Sequence, residues 1–201
     1  PQTFIVTIDP VADTPSITGT TTLEDTQSVA GLVISRSAVD GSEVTHFKIT
    51  DITSGSLYQT DGTTQITDDD FITYAQGNAG LKFSPSGDFN GTASFKLQAS
   101  LSSDNDGLGG DVVTASITVT AINDVPSFTV GSDQTVLEDG GSQTVSNWAT
   151  ALSTGPSDES GQTLTFNMSG INAGLFAVQP AVSSAGELSY TPADNVHGSD
   201  T

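Results

Sequence analysis

Ile122-Asn-Asp-Val-Pro-Ser-Phe-Thr129 is the stretch that decides the fold, because the chain has already used it once, as Val11-Ala-Asp-Thr-Pro-Ser-Ile-Thr18. The two prolines, Pro15 and Pro126, stand 111 residues apart. Three further pairs follow in the same order. Leu23-Glu24-Asp25 returns as Leu137-Glu138-Asp139, and Leu81-Lys-Phe-Ser-Pro85 returns as Leu188-Ser-Tyr-Thr-Pro192. Phe89-Asn90-Gly91-Thr92 then aligns on Val196-His197-Gly198-Ser199. Four anchors in one order mark a tandem repeat, with small insertions and deletions in the loops between them.

Inside a repeat the apolar period is two. Phe4, Val6 and Ile8 alternate along one segment, Phe95, Leu97 and Ala99 along another, and Ile117, Val119 and Ala121 along a third; Leu164, Phe166 and Met168 do the same. One wet face and one buried face is the pattern of antiparallel strands in a sandwich. Gly, Pro or Asx pairs interrupt the chain every ten or so residues, and no segment keeps a helical period. The expectation is therefore all-β: tandem seven-stranded antiparallel β-sandwiches of immunoglobulin or cadherin-like size. Strands are expected at 31–34, 46–49, 81–83, 94–99 and 116–121. Residues 1–13 read as the last strand and linker of a preceding repeat, 14–125 as a complete repeat and 126–201 as a truncated one. Thr3 to Ile8, an orphan last strand, is a candidate to fill the open edge of the truncated repeat, within the chain or from a neighbouring molecule.

Charge narrows the function. The chain carries 24 Asp+Glu against 4 Lys+Arg, a net charge of -20. Nucleic acid and anionic lipid would repel it. Four cations (Arg36, Lys48, Lys82 and Lys96) cannot neutralise 24 acids, so dissolved or bound cations must. The 34% hydrophobic content, in short ordered runs, argues against an acidic disordered chain. Cysteine is absent, which removes disulfides, thiolate metal sites and cysteine nucleophiles together. No apolar run is long enough to span a membrane as a helix.

In a seven-stranded sandwich the loops segregate to two ends, and the acids follow them. Glu24, Asp25, Asp88, Asn90, Asn123 and Asp124 fall at the bottom of the complete repeat, and Asp158 and Glu159 at the top of its successor. Their convergence on one junction would supply the six to eight oxygens that Ca2+ takes. A second junction gathers Asp13, Asp40, Glu43, Asp104 and Asp106; a third is represented by Glu138, Asp139 and Asn195. Asp61 and Asp68 to Asp70 lie mid-repeat and read as turn and solubility features.

The Asn123-Asp-Val-Pro126 linker, the Leu-Glu-Asp strand end and Asp88-Phe-Asn-Gly91 together resemble the cadherin-like tandem repeats of very large bacterial surface proteins. That resemblance covers nearly the whole chain. It implies a β-sandwich, calcium at the linkers between repeats, an extracellular or cell-surface location, and adhesion or stalk roles. The implied partners are neighbouring repeats, host or matrix glycans and proteins, or a second copy. It carries calcium ligation onto Glu24, Glu138, Asn123 and Asp124, with Asp88 and Asn90 at one loop position and Asp158 at another. The first linker departs from the pattern at Ala12-Asp13, and His197 stands where the first repeat has Asn90.

Catalysis finds no constellation to rest on. Neither His46 nor His197 is accompanied by a Gly-x-Ser-x-Gly elbow. Asp104-x-Asp106-Gly107 fails as a helix–loop–helix calcium loop, since Ala115 stands where the bidentate Glu belongs. A carbohydrate- or protein-binding module, with Tyr58 or Tyr74 as platform, and a passive spacer of a large secreted enzyme are the alternative readings.

Overall fold

The computed structural model describes residues 3–200. The chain divides into two compact units, with the boundary between Ile122 and Asn123. Both are all-β apart from short helical turns.

Unit 1 contains β1 (Ser16–Ile17), β2 (Thr20–Leu23), β3 (Ile34–Ser35), β4 (His46–Thr50), β5 (Gly55–Tyr58), β6 (Gln65–Ile66), β7 (Phe71–Thr73), β8 (Lys82–Pro85), β9 (Gly91–Ser100) and β10 (Leu108–Thr120). One sheet runs β2-β10-β9-β4-β7, a second runs β6-β5-β8, and β1 pairs with β3. The segment leading into β3 is tied to β8 by Ser28 N–H to Phe83 O at 2.8 Å and Leu81 N–H to Leu32 O at 3.2 Å. Period two is what builds these layers. Phe47 and Ile49 on β4, Phe95 and Leu97 on β9, and Ile117 and Val119 on β10 join Leu57, Phe83 and Ile34 of the other strands in one buried apolar cluster. Each such side chain contributes roughly 1.5–3 kcal/mol by leaving water. The result is sandwich-like.

β10 pairs antiparallel with β9 and parallel with β2, so the first strand of the large sheet lies beside its last. Near its start β10 bulges between Gly109 and Val113. A Cβ at Gly109 would collide with the carbonyl of Ala12, and Gly110 takes φ +66. Those glycines let residues 12–14 lie against the bulge, where Thr14 Oγ1 accepts the Asp111 N–H at 2.8 Å.

Unit 2 contains β11 (Ser127–Thr129), β12 (Gln143–Val145), β13 (Thr150–Ser153), β14 (Phe176–Val182) and β15 (Leu188–Pro192). β11 pairs with β13, and β12-β15-β14 form a separate small sheet. Its core is thin: among the described residues only Ala149, Leu188 and Tyr190 are buried hydrophobics of this unit. Edge-to-face ring pairs, Phe128 with Phe166 at 5.0 Å and Phe176 with Tyr190 at 6.0 Å, supplement it.

Several sequence expectations need correction. Unit 1 has more and shorter strands than seven, and the strand expected at 31–34 is only Ile34–Ser35. Thr3 to Ile8 and the Leu164 to Met168 run form no strand, despite their alternation. A strand needs a hydrogen-bonding neighbour as well as a pattern, and neither segment has one among the described residues. A short helix, α1 (Tyr74–Asn78), went unforeseen. Its signal was present, since Thr73-x-x-Gln76 closes a capping box: Thr73 Oγ1 accepts the Gln76 N–H at 3.2 Å and Gln76 Oε1 accepts the Thr73 N–H at 2.7 Å.

Candidate functional site

Glu24 follows β2 and continues its alternation, so Thr22 and Glu24 are buried while Leu23 between them is exposed. The Glu24 side chain has no exposed surface (0%). Its backbone N–H donates to Thr120 O at 3.0 Å. Its Oε1 accepts the N–H of Ile122, the last residue of the unit, at 2.6 Å. Oε2 is buried with no hydrogen-bond partner. An ionised carboxylate is expensive to bury without full compensation, at several kcal/mol. An orphaned, buried carboxylate oxygen therefore asks for a cation.

The next residue starts the turn that brings more oxygens to the same end of unit 1. Asp25 takes φ 54 and Asp88 takes φ 56, a left-handed conformation that Asp tolerates better than most residues. Asp25 Oδ1 accepts the Asp88 N–H at 3.1 Å. Oxygens of the two exposed carboxylates come within 4.8 Å of each other. Asn90 is half-buried, directly before β9. The salt bridges among the described residues lie elsewhere: Lys48 pairs with Asp69 and Lys96 with Asp51, each at 2.8 Å.

Unit 2 repeats the device with another glutamate. The short helical turn Ser157–Glu159 leaves Asp158 exposed and buries Glu159, which is 3% exposed. Glu159 Oε1 accepts the Asp124 N–H at 2.6 Å, and Oε2 is again buried without a partner. Gly155, at φ +141, makes room, because a Cβ there would fall on Glu159 Oε2. Asn123 donates from Nδ2 to Asp124 O at 2.8 Å, and its Oδ1 accepts from Gln162 Nε2 at 3.1 Å. Gln162, which orients Asn123, escaped the sequence reading; only a map of this loop could have singled it out.

The remaining acids divide sharply. Asp13 donates its N–H to both oxygens of Asp40 at 3.2 Å, whereas the Asp124 N–H reaches only one oxygen of Glu159. Burial, the largest effect, raises the pKa of Asp40; the Asp13 N–H opposes this, and the Asp13 and Glu43 charges add to it. Glu43 is held below its ordinary value, first by the Gly41 backbone N–H. Asp139 Oδ1 accepts the Asn195 N–H at 2.8 Å, the counterpart of Asp25 with Asp88, and Asp139 and Asn195 likewise take φ 61 and 56. Glu138, by contrast with Glu24, is exposed. Asp104 spends its carboxylate on its own loop, accepting from Ser102 Oγ at 2.7 Å and Asp106 N–H at 3.1 Å, while Asp106 is exposed. Asp61 and Asp70 do the same work in the turns at Thr64 and Thr67. Of the tyrosines weighed as platforms, Tyr74 has its ring covered by Arg36 at 3.6 Å and Tyr58 is half-buried.

Among the described residues, the carboxylates brought together here could hold a metal ion. No family model matches this chain, and no curated protein or solved structure matches it either.

Proposed function

We propose that the chain is a non-catalytic, calcium-binding structural repeat of an extracellular bacterial adhesin, in which the metal stiffens a stalk. The observation that carries this reading is Glu24 Oε2, a carboxylate oxygen buried with no hydrogen-bond partner; separately, carboxylate oxygens of its chain neighbour Asp25 and of Asp88 come within 4.8 Å of each other. Glu159 supports it with the same arrangement in unit 2. Each glutamate uses one oxygen to grip a linker amide (Ile122 in one case, Asp124 in the other) and keeps its second oxygen for a cation. An ion on that second oxygen would fix the carboxylate, and through it the linker peptide. Flexible repeats would become a stiffer string.

The magnitude is modest. With calcium at ~1 mM and a dissociation constant of ~0.1 mM, mass action stabilises the bound form by about 1.4 kcal/mol per site. Isothermal titration of the chelator-treated chain with calcium tests the reading directly. Saturable binding, and a scattering curve whose maximum dimension changes between calcium and chelator, are expected. Heat no larger than dilution, with an unchanged dimension, refutes it.

A further inference from the structure

The chain has eight asparagines, and only Asn90 is followed by glycine. Hydrogen bonds hold the side chains of Asn78, Asn105, Asn123 and Asn172. Among the described residues none holds the side chain of Asn90. Asn147, Asn167 and Asn195 are equally untied, but Trp148, Met168 and Val196 follow them. Asn90 therefore combines a mobile amide with an unobstructed neighbour, and no other asparagine does.

That combination has a chemistry. The backbone nitrogen of a following residue can attack an asparagine Cγ, and a side chain on that residue obstructs the approach. Gly91 has none, and only the edge of the Phe89 ring, 3.7 Å away, lies within 4 Å of where its Cβ would be. Its φ of +123 belongs to a region that glycine enters freely. Gly91 is also the first residue of β9, and its pairing with Val119 is the last of the β9–β10 ladder. Ladder ends open before ladder centres. Asn90 itself is half-buried, so water reaches it.

We infer that Asn90 is a self-modification site, which deamidates to a carboxylate at the end of unit 1 that carries Asp25 and Asp88. The Gly91 nitrogen bonds to Asn90 Cγ, the Cγ–Nδ2 bond breaks, and ammonia leaves with the proton that the Gly91 nitrogen gives up. Water then opens the five-membered succinimide at either carbonyl, giving Asp or isoAsp at position 90. Water is the only co-reactant. Each event adds one negative charge two residues from Asp88, whose N–H is already held by Asp25 Oδ1 at 3.1 Å. The aligned pair in unit 2 is His197-Gly198, which has no amide to lose. The consequence for metal rests on the calcium reading proposed above. Ligand charge tunes calcium affinity, so the Asp form binds more tightly. The isoAsp form, with an extra methylene in the backbone of the turn, binds more weakly.

Peptide mapping by mass spectrometry of the whole chain, held at mildly alkaline pH in chelator, tests the chemistry. Position 90 should convert ahead of Asn147 and Asn167 in the same digest, with both Asp and isoAsp as products. An Asn90→Gln variant should leave that peptide unchanged over the same period. Isothermal titration of an Asn90→Asp variant should then give a calcium dissociation constant several-fold below that of fresh wild type. Conversion at position 90 no faster than at Asn147 or Asn167 would overturn the modification. Equal dissociation constants for the two proteins would overturn its link to the metal site. Absence of calcium heat from both proteins would refute the calcium reading instead, and leave conversion at Asn90 standing.

Discussion

Replacing Glu24 with Gln keeps the shape and the acceptor oxygen while removing the charge, and the outcome should depend on calcium. Without metal, wild-type Glu24 buries a carboxylate that is half compensated: Oε1 holds the Ile122 N–H at 2.6 Å, and Oε2 holds nothing. A neutral amide is much cheaper to bury than an ion, so Glu24→Gln in chelator should be neutral or stabilising. The retained Oε1 bond is worth about 1 kcal/mol as a neutral pair, against about 1.5–3 kcal/mol when charged. The two effects roughly cancel. With calcium at ~1 mM the variant loses the linkage term of about 1.4 kcal/mol, which is a fall in Tm of about 3–6 °C for a chain of this size. The assay is calorimetric unfolding of both proteins in calcium and in excess chelator. The single tryptophan, Trp148, lies in unit 2. Its fluorescence separates that unit's transition from the one Glu24 affects. An equal loss of stability in both conditions would refute the reasoning, since Glu24 would then be a purely structural hydrogen-bond acceptor.

Three other outcomes follow from the geometry. Gly155→Ala puts a methyl group where Glu159 Oε2 sits and forces a backbone conformation glycine alone adopts easily, so unit 2 should lose about 1–3 kcal/mol, read by Trp148 fluorescence in urea. Gly109→Ala presses a methyl group on the Ala12 carbonyl and should lift residues 12–14 off β10, increasing amide exchange at Asp111, whose N–H donates to Thr14. Asp61 is depressed from 3.8 to about 2, chiefly by the Thr64 hydroxyl, so it stabilises unit 1 fully above its unfolded value. That contribution fades as pH falls from about 4 toward 2, and an Asp61→Asn variant should flatten this part of the pH–stability curve.

Strands β4, β8, β9 and β10 could be read from the sequence because each has alternating apolar residues on a half-buried face. The short strands β5, β6 and β7 could not, since two to four residues carry too little pattern to stand out. Thr3 to Ile8 shows the opposite failure. Its alternation is as clear as that of β10, yet pairing is a property of two segments, and the sequence of one does not reveal whether the other is there. In the candidate site, the repeated Glu-Asp pair was visible, but which acid would be buried was not uniform. Glu24 follows from the alternation of Thr22, Leu23 and Glu24 across β2. The choice of Glu159 over Asp158 depends on a helical turn and on the missing side chain at Gly155, neither of which has a periodicity to read.

The parallel pairing of β2 with β10 bears on how unit 1 responds to being pulled. Tension on its two ends reaches β2 from the N-terminal side and β10 from the C-terminal side. Because the strands run in the same direction, the pull slides one along the other. The four residue pairs from Ile117 with Thr20 to Thr120 with Leu23 are then strained together, where an antiparallel hairpin would peel open one bond at a time. Failure requires the whole set to break at once. Glu24 lies just past the last of these pairs and holds the amide of Ile122, so it adds one more tether at the point where the load leaves the unit. Unit 1 pulled end to end should therefore hold its length up to a threshold force and then yield in one step.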